Sequence, residues 1–138
     1  MTTAPTPHCR REPVTGYPSL GAFLADRLSV IFARQVTDLA DVVWCPEWWL
    51  HPEAVERLWI VWQAWEELAL LGPVGMSDWW QWHCEPHMAR LMDPRGPFKY
   101  CSVRHGHKPM LNPLPFNLDR APREVFTPHR PAAPVAVA

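Results

Sequence analysis

Apolar positions along the chain recur at helical spacing in three stretches and lose all pattern at both ends. In SLGAFLADRLSVIFARQVTDLAD, Leu20, Leu24, Leu28, Ile31, Val36 and Leu39 fall near a period of 3.6, with Phe23 and Phe32 widening the stripe. Ser19 is placed to cap the first turn. The pattern predicts a helix over about residues 20–40. In VVWCPEWWL the pattern stops. Pro46 blocks helix continuation and biases Cys45 toward extended backbone. This is a connector, and its three tryptophans should turn it inward.

The second stretch, HPEAVERLWIVWQAWEELALLG, carries the strongest helical signal. Pro52 suits position N1, where its missing N–H costs nothing, and Glu53 suits the positive end of the helix dipole. Val55, Leu58, Trp59, Trp62, Trp65 and Ala69 make a broad apolar face that Ile60, Val61 and Leu68 extend, so burial on more than one side is expected. Gly72-Pro73 ends the element. In the third stretch Ser77 and Asp78 provide a cap and an acidic first turn, and Trp80, His83, His87 and Leu91 share one face. Pro86 either kinks this helix or breaks it and starts a short fourth one. DPRGP closes the segment.

The expectation is an all-α fold of three to four helices: a core domain over 19–98, with proline-rich, largely irregular arms at 1–18 and 99–138. Composition agrees. All nine tryptophans lie between Trp44 and Trp82, whereas the seventeen prolines gather mostly in the arms. The 1–18 arm and the terminal PAAPVAVA read as disordered.

Charge divides the chain further. From Asp41 to Phe98 nine acids face three bases, a balance of −6; from Lys99 onward six bases face two acids, a balance of +4. An acidic body is a poor wrapper of nucleic acid, which is held through neutralised phosphates. The C-terminal arm could touch phosphates or simply keep the chain solvated. MTTAPTPHCRREP has no apolar signal core, and no apolar run reaches the length of a membrane span. A cytoplasmic protein without membrane contact is expected, with Cys9, Cys45, Cys84 and Cys101 as reduced thiols.

From Trp44 to Phe98 the strings WCPEWWLHPEAVERL, WQAWE, GMSDWW and HCEPHMARLMDPRGPF resemble an actinobacterial family, domain of unknown function 4913. The resemblance covers about forty per cent of the chain, and the preceding helix fits it loosely. It implies a setting on actinobacterial plasmids, integrative elements or phages, and implies no activity. Trp59, Trp82 and the proline-rich tail lie outside the pattern.

Chemistry concentrates in WWQWHCEPHM, residues 79–88. His83 and His87 at i, i+4 project from one helical face, as zinc-binding helices require. The metalloprotease arrangement fails, because Cys84 stands where the general-base glutamate belongs. A structural zinc would need four ligands. Cys84 points about 100° from His83, so the best set is His83, His87 and Cys101 with Cys45 or His51. No CxxC pair anchors such a site, and the alternative is two packed, hydrogen-bonded histidines. His51-Pro52-Glu53 reads as a helix start with Glu53 paired to Arg57, or as a general base oriented by Glu53. Cys84 reads as an inert buried thiol, or as a nucleophile served by His87. Nine tryptophans exceed what so small a core readily hides. Trp48, Trp49, Trp79 and Trp82, at helix starts and connectors, are the expected partner-binding surface.

The leading expectation is a non-enzymatic accessory module that meets a protein partner through tryptophans, without cofactor. A zinc-stabilised module assisting nucleic-acid binding through the C-terminal arm is the alternative. A hydrolase-like enzyme using His51, His83 and His87 is third.

Overall fold

The computed structural model describes residues 16–37 and 41–128. Most of the 1–18 arm, Leu39 and the terminal PAAPVAVA lie outside the described residues. The regular elements among the described residues are helices, and the nearest approach to a sheet among them is a single antiparallel bridge between Ser102 and Gly106.

Helix α1 spans residues 20–31. It opens as Leu20–Phe23, widens into a π-helical turn at Leu24–Leu28 and closes with Ser29–Ile31. Ser19 Oγ accepts from the Ala22 N–H at 3.1 Å, which is the cap the sequence called for. The helix stops well short of residue 40. Phe32 leaves helical backbone at φ −115°, ψ 52°. Its ring stacks on Trp80 with centroids 6.3 Å apart, and the Arg34 guanidinium lies 3.9 Å from its centroid. That tertiary contact outweighs the modest helix propensity of the β-branched residues beside it. Val36 therefore sits on irregular chain despite its helical spacing.

Helix α2, Pro52–Leu68, starts at Pro52 as expected and continues into a tight turn at Ala69–Leu71. Ala54, Leu58, Val61 and Trp62 are buried. Trp59 and Ile60, expected to widen the buried face, stay exposed at 50% and 43%. Gly72 at φ +70° reverses the chain, and helix α3 follows at once over residues 72–92. Ser77 does not start this helix. Pro73 does, in the first turn, because its fixed φ and missing N–H suit that place. A Cβ on Gly75 would collide with the Leu68 carbonyl, so α2 and α3 approach closely only because this residue lacks one.

Pro86 neither breaks α3 nor starts a separate rod. The helix runs as Gly72–Asp78, a π-helical turn Trp79–Cys84, then Glu85–Met92 with Pro86 in its first turn. The wide turn sits where an α-helical ladder would need the N–H that proline lacks.

The core lies where α1, α2 and α3 meet. Phe23, Leu58, Val61, Trp79 and Leu91 are essentially solvent-free. Trp79 is its centre: the indole packs edge-on to Trp65 at 5.0 Å and Phe23 at 6.5 Å, and donates its N–H to the Val61 carbonyl at 2.9 Å. Glu66 ties down the N-terminal end, accepting from the Tyr17 N–H and the Trp62 indole, both at 2.7 Å. No helix among the described residues is long and apolar enough to cross a membrane.

Candidate metal centre

Two irregular segments meet at the start of α2. The first is the connector before it. The Val43 N–H donates to the Met92 carbonyl at 2.9 Å, pinning the connector to the end of α3. Cys45 then faces inward with no exposure, and a short turn at Trp48–Leu50 delivers His51 to the N-cap of α2. The second follows α3. Phe98 is fully buried, and the Cys101 N–H donates to its carbonyl at 2.9 Å. Ser102 and Gly106 exchange backbone hydrogen bonds at 3.2 and 2.8 Å around a tight turn. Ser102 Oγ caps that turn by accepting from the His105 N–H at 2.8 Å, and Gly106 takes the φ of +78° that closure requires. The turn returns His107 beside Cys101.

The result is a group of Cys45, His51, Cys101 and His107, whose ligand atoms all lie within 4.8 Å of one another. Sulfur and nitrogen alternate closely: Cys45 Sγ to His107 Nδ1 is 3.4 Å, Cys101 Sγ to His51 Nε2 is 3.6 Å, Cys101 Sγ to His107 Nδ1 is 3.7 Å, and His107 Nδ1 to His51 Nε2 is 3.0 Å. Both cysteines are buried free thiols, and both histidines are half-buried. The His51 ring stands edge-on to Phe98 at 4.9 Å, which orients it. The Lys108 N–H donates to Cys101 Sγ at 3.4 Å. Burial pushes the Cys45 thiol up to about 11 and lowers His51 from its usual value, with His107 adding to the latter.

Three of the residues singled out from sequence, Cys45, His51 and Cys101, are brought together here. His83 and His87 are not. His87 Nδ1 lies 2.9 Å from Arg57 Nη1 across α2 and α3, and burial, then Arg57, then His83 lower its pKa. Glu53 faces Arg57 at 3.6 Å, the ion pair expected at i, i+4. Cys84 is solvent-free and burial pushes its thiol up to about 12, which removes the thiolate a nucleophile needs. The tryptophans also divide. Trp49 and Trp82 are exposed at 55% and 63% and Trp48 is half-buried. Trp79 is interior, because its indole N–H found a backbone carbonyl in the core.

His107 was missed by reading the stretch from Lys99 as a tail. The signal was present: Cys101 and His107 are separated by five residues, as are Cys45 and His51.

Among proteins of known sequence, the model of the family described as a domain of unknown function, DUF4913, matches residues 17–120. The match covers more than half of the chain, and the chain belongs to that family. It extends on both sides of the Trp44–Phe98 strings and takes in all four residues of the cysteine–histidine group. No curated protein and no solved structure matches the chain.

Proposed function

We propose that this DUF4913 protein is a non-enzymatic interaction module that offers its proline-rich C-terminal segment to a protein partner. One observation carries the reading. Between Met110 and Phe126, Met110, Leu111, Leu114, Phe116, Leu118, Val125 and Phe126 are each about half exposed or more, with Leu114 at 75%. So dense a run of large apolar side chains in water is the mark of a binding surface. Pro109, Pro113, Pro115 and Pro122 interleave with them and fix φ at four positions, which lowers the backbone freedom lost on docking. Proline-rich apolar segments of this kind enter aromatic-lined grooves on other proteins. Trp49, Trp59 and Trp82 offer further apolar contact from separate elements.

A cavity of about 480 Å³ between α1 and the connector is lined by Leu24, Leu28, Phe32, Trp44, Trp48 and Met88, among others. Among the described residues, its wall is mostly apolar and includes neither a histidine nor Cys84. An accessory role also suits the mobile-element setting that the family resemblance implies.

The test is a photo-crosslinking side chain at Phe116, and separately at Trp82, in the full chain expressed in its own cell. A discrete nuclease-resistant protein adduct from Phe116, lost in Leu114→Asp, is expected. Adducts from Trp82 alone would move the interface to the helices. Adducts that vanish with nuclease, or none at either position, would sink the protein-partner reading.

A further inference from the structure

We infer that Cys45, His51, Cys101 and His107 bind a single Zn²⁺ in a closed structural site. The inference is independent of the partner reading above. It rests first on shape. With Zn–S near 2.3 Å and Zn–N near 2.0–2.1 Å at tetrahedral angles, sulfur–nitrogen edges come to about 3.6 Å and nitrogen–nitrogen edges to about 3.3 Å. Three of the four sulfur–nitrogen separations here are 3.4, 3.6 and 3.7 Å, and the nitrogen pair is 3.0 Å apart. Four ligand atoms from segments up to 62 residues apart thus lie within 4.8 Å of one another, with these four separations close to the edges of a zinc tetrahedron.

Chemistry agrees with shape. Two sulfurs and two imidazole nitrogens in tetrahedral array select zinc over the oxygen-seeking cations, and its d¹⁰ shell accepts that geometry without penalty. Loading releases two protons, one from each thiol, and the histidines bind as neutral imidazoles through Nε2 of His51 and Nδ1 of His107. Two thiolates cancel the dication, so the loaded centre is electrically neutral. That suits cysteines with 0% and 5% exposure, where a lone charge would be costly. The Lys108 N–H aimed at Cys101 Sγ supplies the outer hydrogen bond that steadies a metal-bound thiolate.

The site has no open position. Four protein ligands fill the coordination sphere, which assigns zinc a structural role and leaves no place for a reacting water. Its place in the fold says what it holds. Cys45 and His51 belong to the connector entering α2, and Cys101 and His107 to the turn after α3. The ion would fasten the second to the first just before Pro109, where the proline-rich segment begins. It thereby sets the direction in which that segment leaves the body.

The experiment uses the untagged full chain, equilibrated with Zn²⁺, freed of loose metal by gel filtration and analysed for metal by mass spectrometry. One zinc per chain is expected, falling at least tenfold in Cys101→Ser and in His107→Ala. Cys84→Ser, away from the group, should keep one zinc. Should the ligand variants not fold, Co²⁺ added to the wild-type apoprotein decides. A visible spectrum of tetrahedral Co²⁺ with thiolate charge transfer is expected, bleached by one equivalent of Zn²⁺. Absence of both retained zinc and that spectrum overturns the site. So does full zinc retention in folded Cys101→Ser, or a thiol count showing Cys45 and Cys101 joined as a disulfide.

Discussion

Two parts of this molecule are rich in the same residue types and use them in opposite ways. On α3, residues 79–88 hold Trp79, His83, Cys84, His87 and Met88 on continuous helical backbone, the first part of it a π-helical turn. Around the start of α2, Cys45, His51, Cys101 and His107 sit on turning backbone. Helical geometry sends neighbours about 100° apart. It therefore scatters the first set: Trp79, Cys84 and Met88 face the core, His87 meets Arg57, and Trp82 meets solvent. Two turns gather the second set to within 4.8 Å. Density of chemistry along the sequence says little about density in space. The backbone between the residues decides it.

The sharpest break of this comparison is removal of metal. A structural zinc bound only by the folded chain adds its binding free energy to stability. A chelator should therefore lower the melting temperature more than any core substitution below. Hydrogen exchange would locate the effect. Protection of the Cys101, Ser102 and Gly106 amides should vanish first, while that of α2 persists. An unchanged melt would leave the group as mere packed thiols and imidazoles.

Next comes the centre of the helical core. Trp79→Ala should cost about 3–5 kcal/mol, the usual range for an excised buried aromatic. Urea denaturation at fixed zinc should read this as a lower midpoint. Because Trp79 packs on Phe23 and Trp65, not on the cysteine–histidine group, zinc stoichiometry should hold at one per chain in the folded fraction. Loss of zinc from the folded variant would show that the two regions are one cooperative unit.

How much of this was legible depended on whether local chemistry or distant contact set the backbone. The Ser19 cap, Pro52 at N1 and the Gly72 reversal were readable, because each is a short-range event with a fixed physical signature. The end of α1 was not, since Phe32 departs for a ring on α3 almost fifty residues away. The true start of α3 was masked by Ser77, a good cap residue placed inside a helix that Pro73 had already begun. Of the cysteine–histidine group, Cys45, His51 and Cys101 were singled out from residue type alone. His107 was hidden by the prolines around it, although its spacing from Cys101 repeats that of Cys45 and His51.

A matched pair of substitutions sharpens the contrast at smaller cost. Cys84→Ser and Cys101→Ser make the same chemical change in the two regions. Cys84 is solvent-free beside apolar neighbours, so its hydroxyl should cost about 1–3 kcal/mol as an unsatisfied buried group. Zinc content should not move. Cys101→Ser should strip zinc. Calorimetry together with metal analysis separates the outcomes, and similar zinc loss in both would erase the distinction between the regions.

The smallest expected effect concerns His87, the histidine that stayed on the helix. Burial, Arg57 and His83 all lower its pKa, so the folded protein resists protonating it while the unfolded chain titrates near 6.5. The sign follows: its contribution is fully present above pH 6.5 and is lost as pH falls from there through the depressed folded value. Arg57 Nη1 at 2.9 Å makes the neutral ring an acceptor at Nδ1, and Glu53 at 3.6 Å from Arg57 holds that guanidinium in place. His87→Gln keeps an acceptor but cannot titrate. Between pH 6.5 and 5 its melting temperature should fall less steeply than that of the wild type, with the two curves nearly parallel above pH 7. Both proteins must be compared as zinc-free forms, because protons also compete with metal for His51 and His107. Identical slopes would mean that His87 protonates as readily in the fold as outside it, and that its contact with Arg57 contributes nothing in this range.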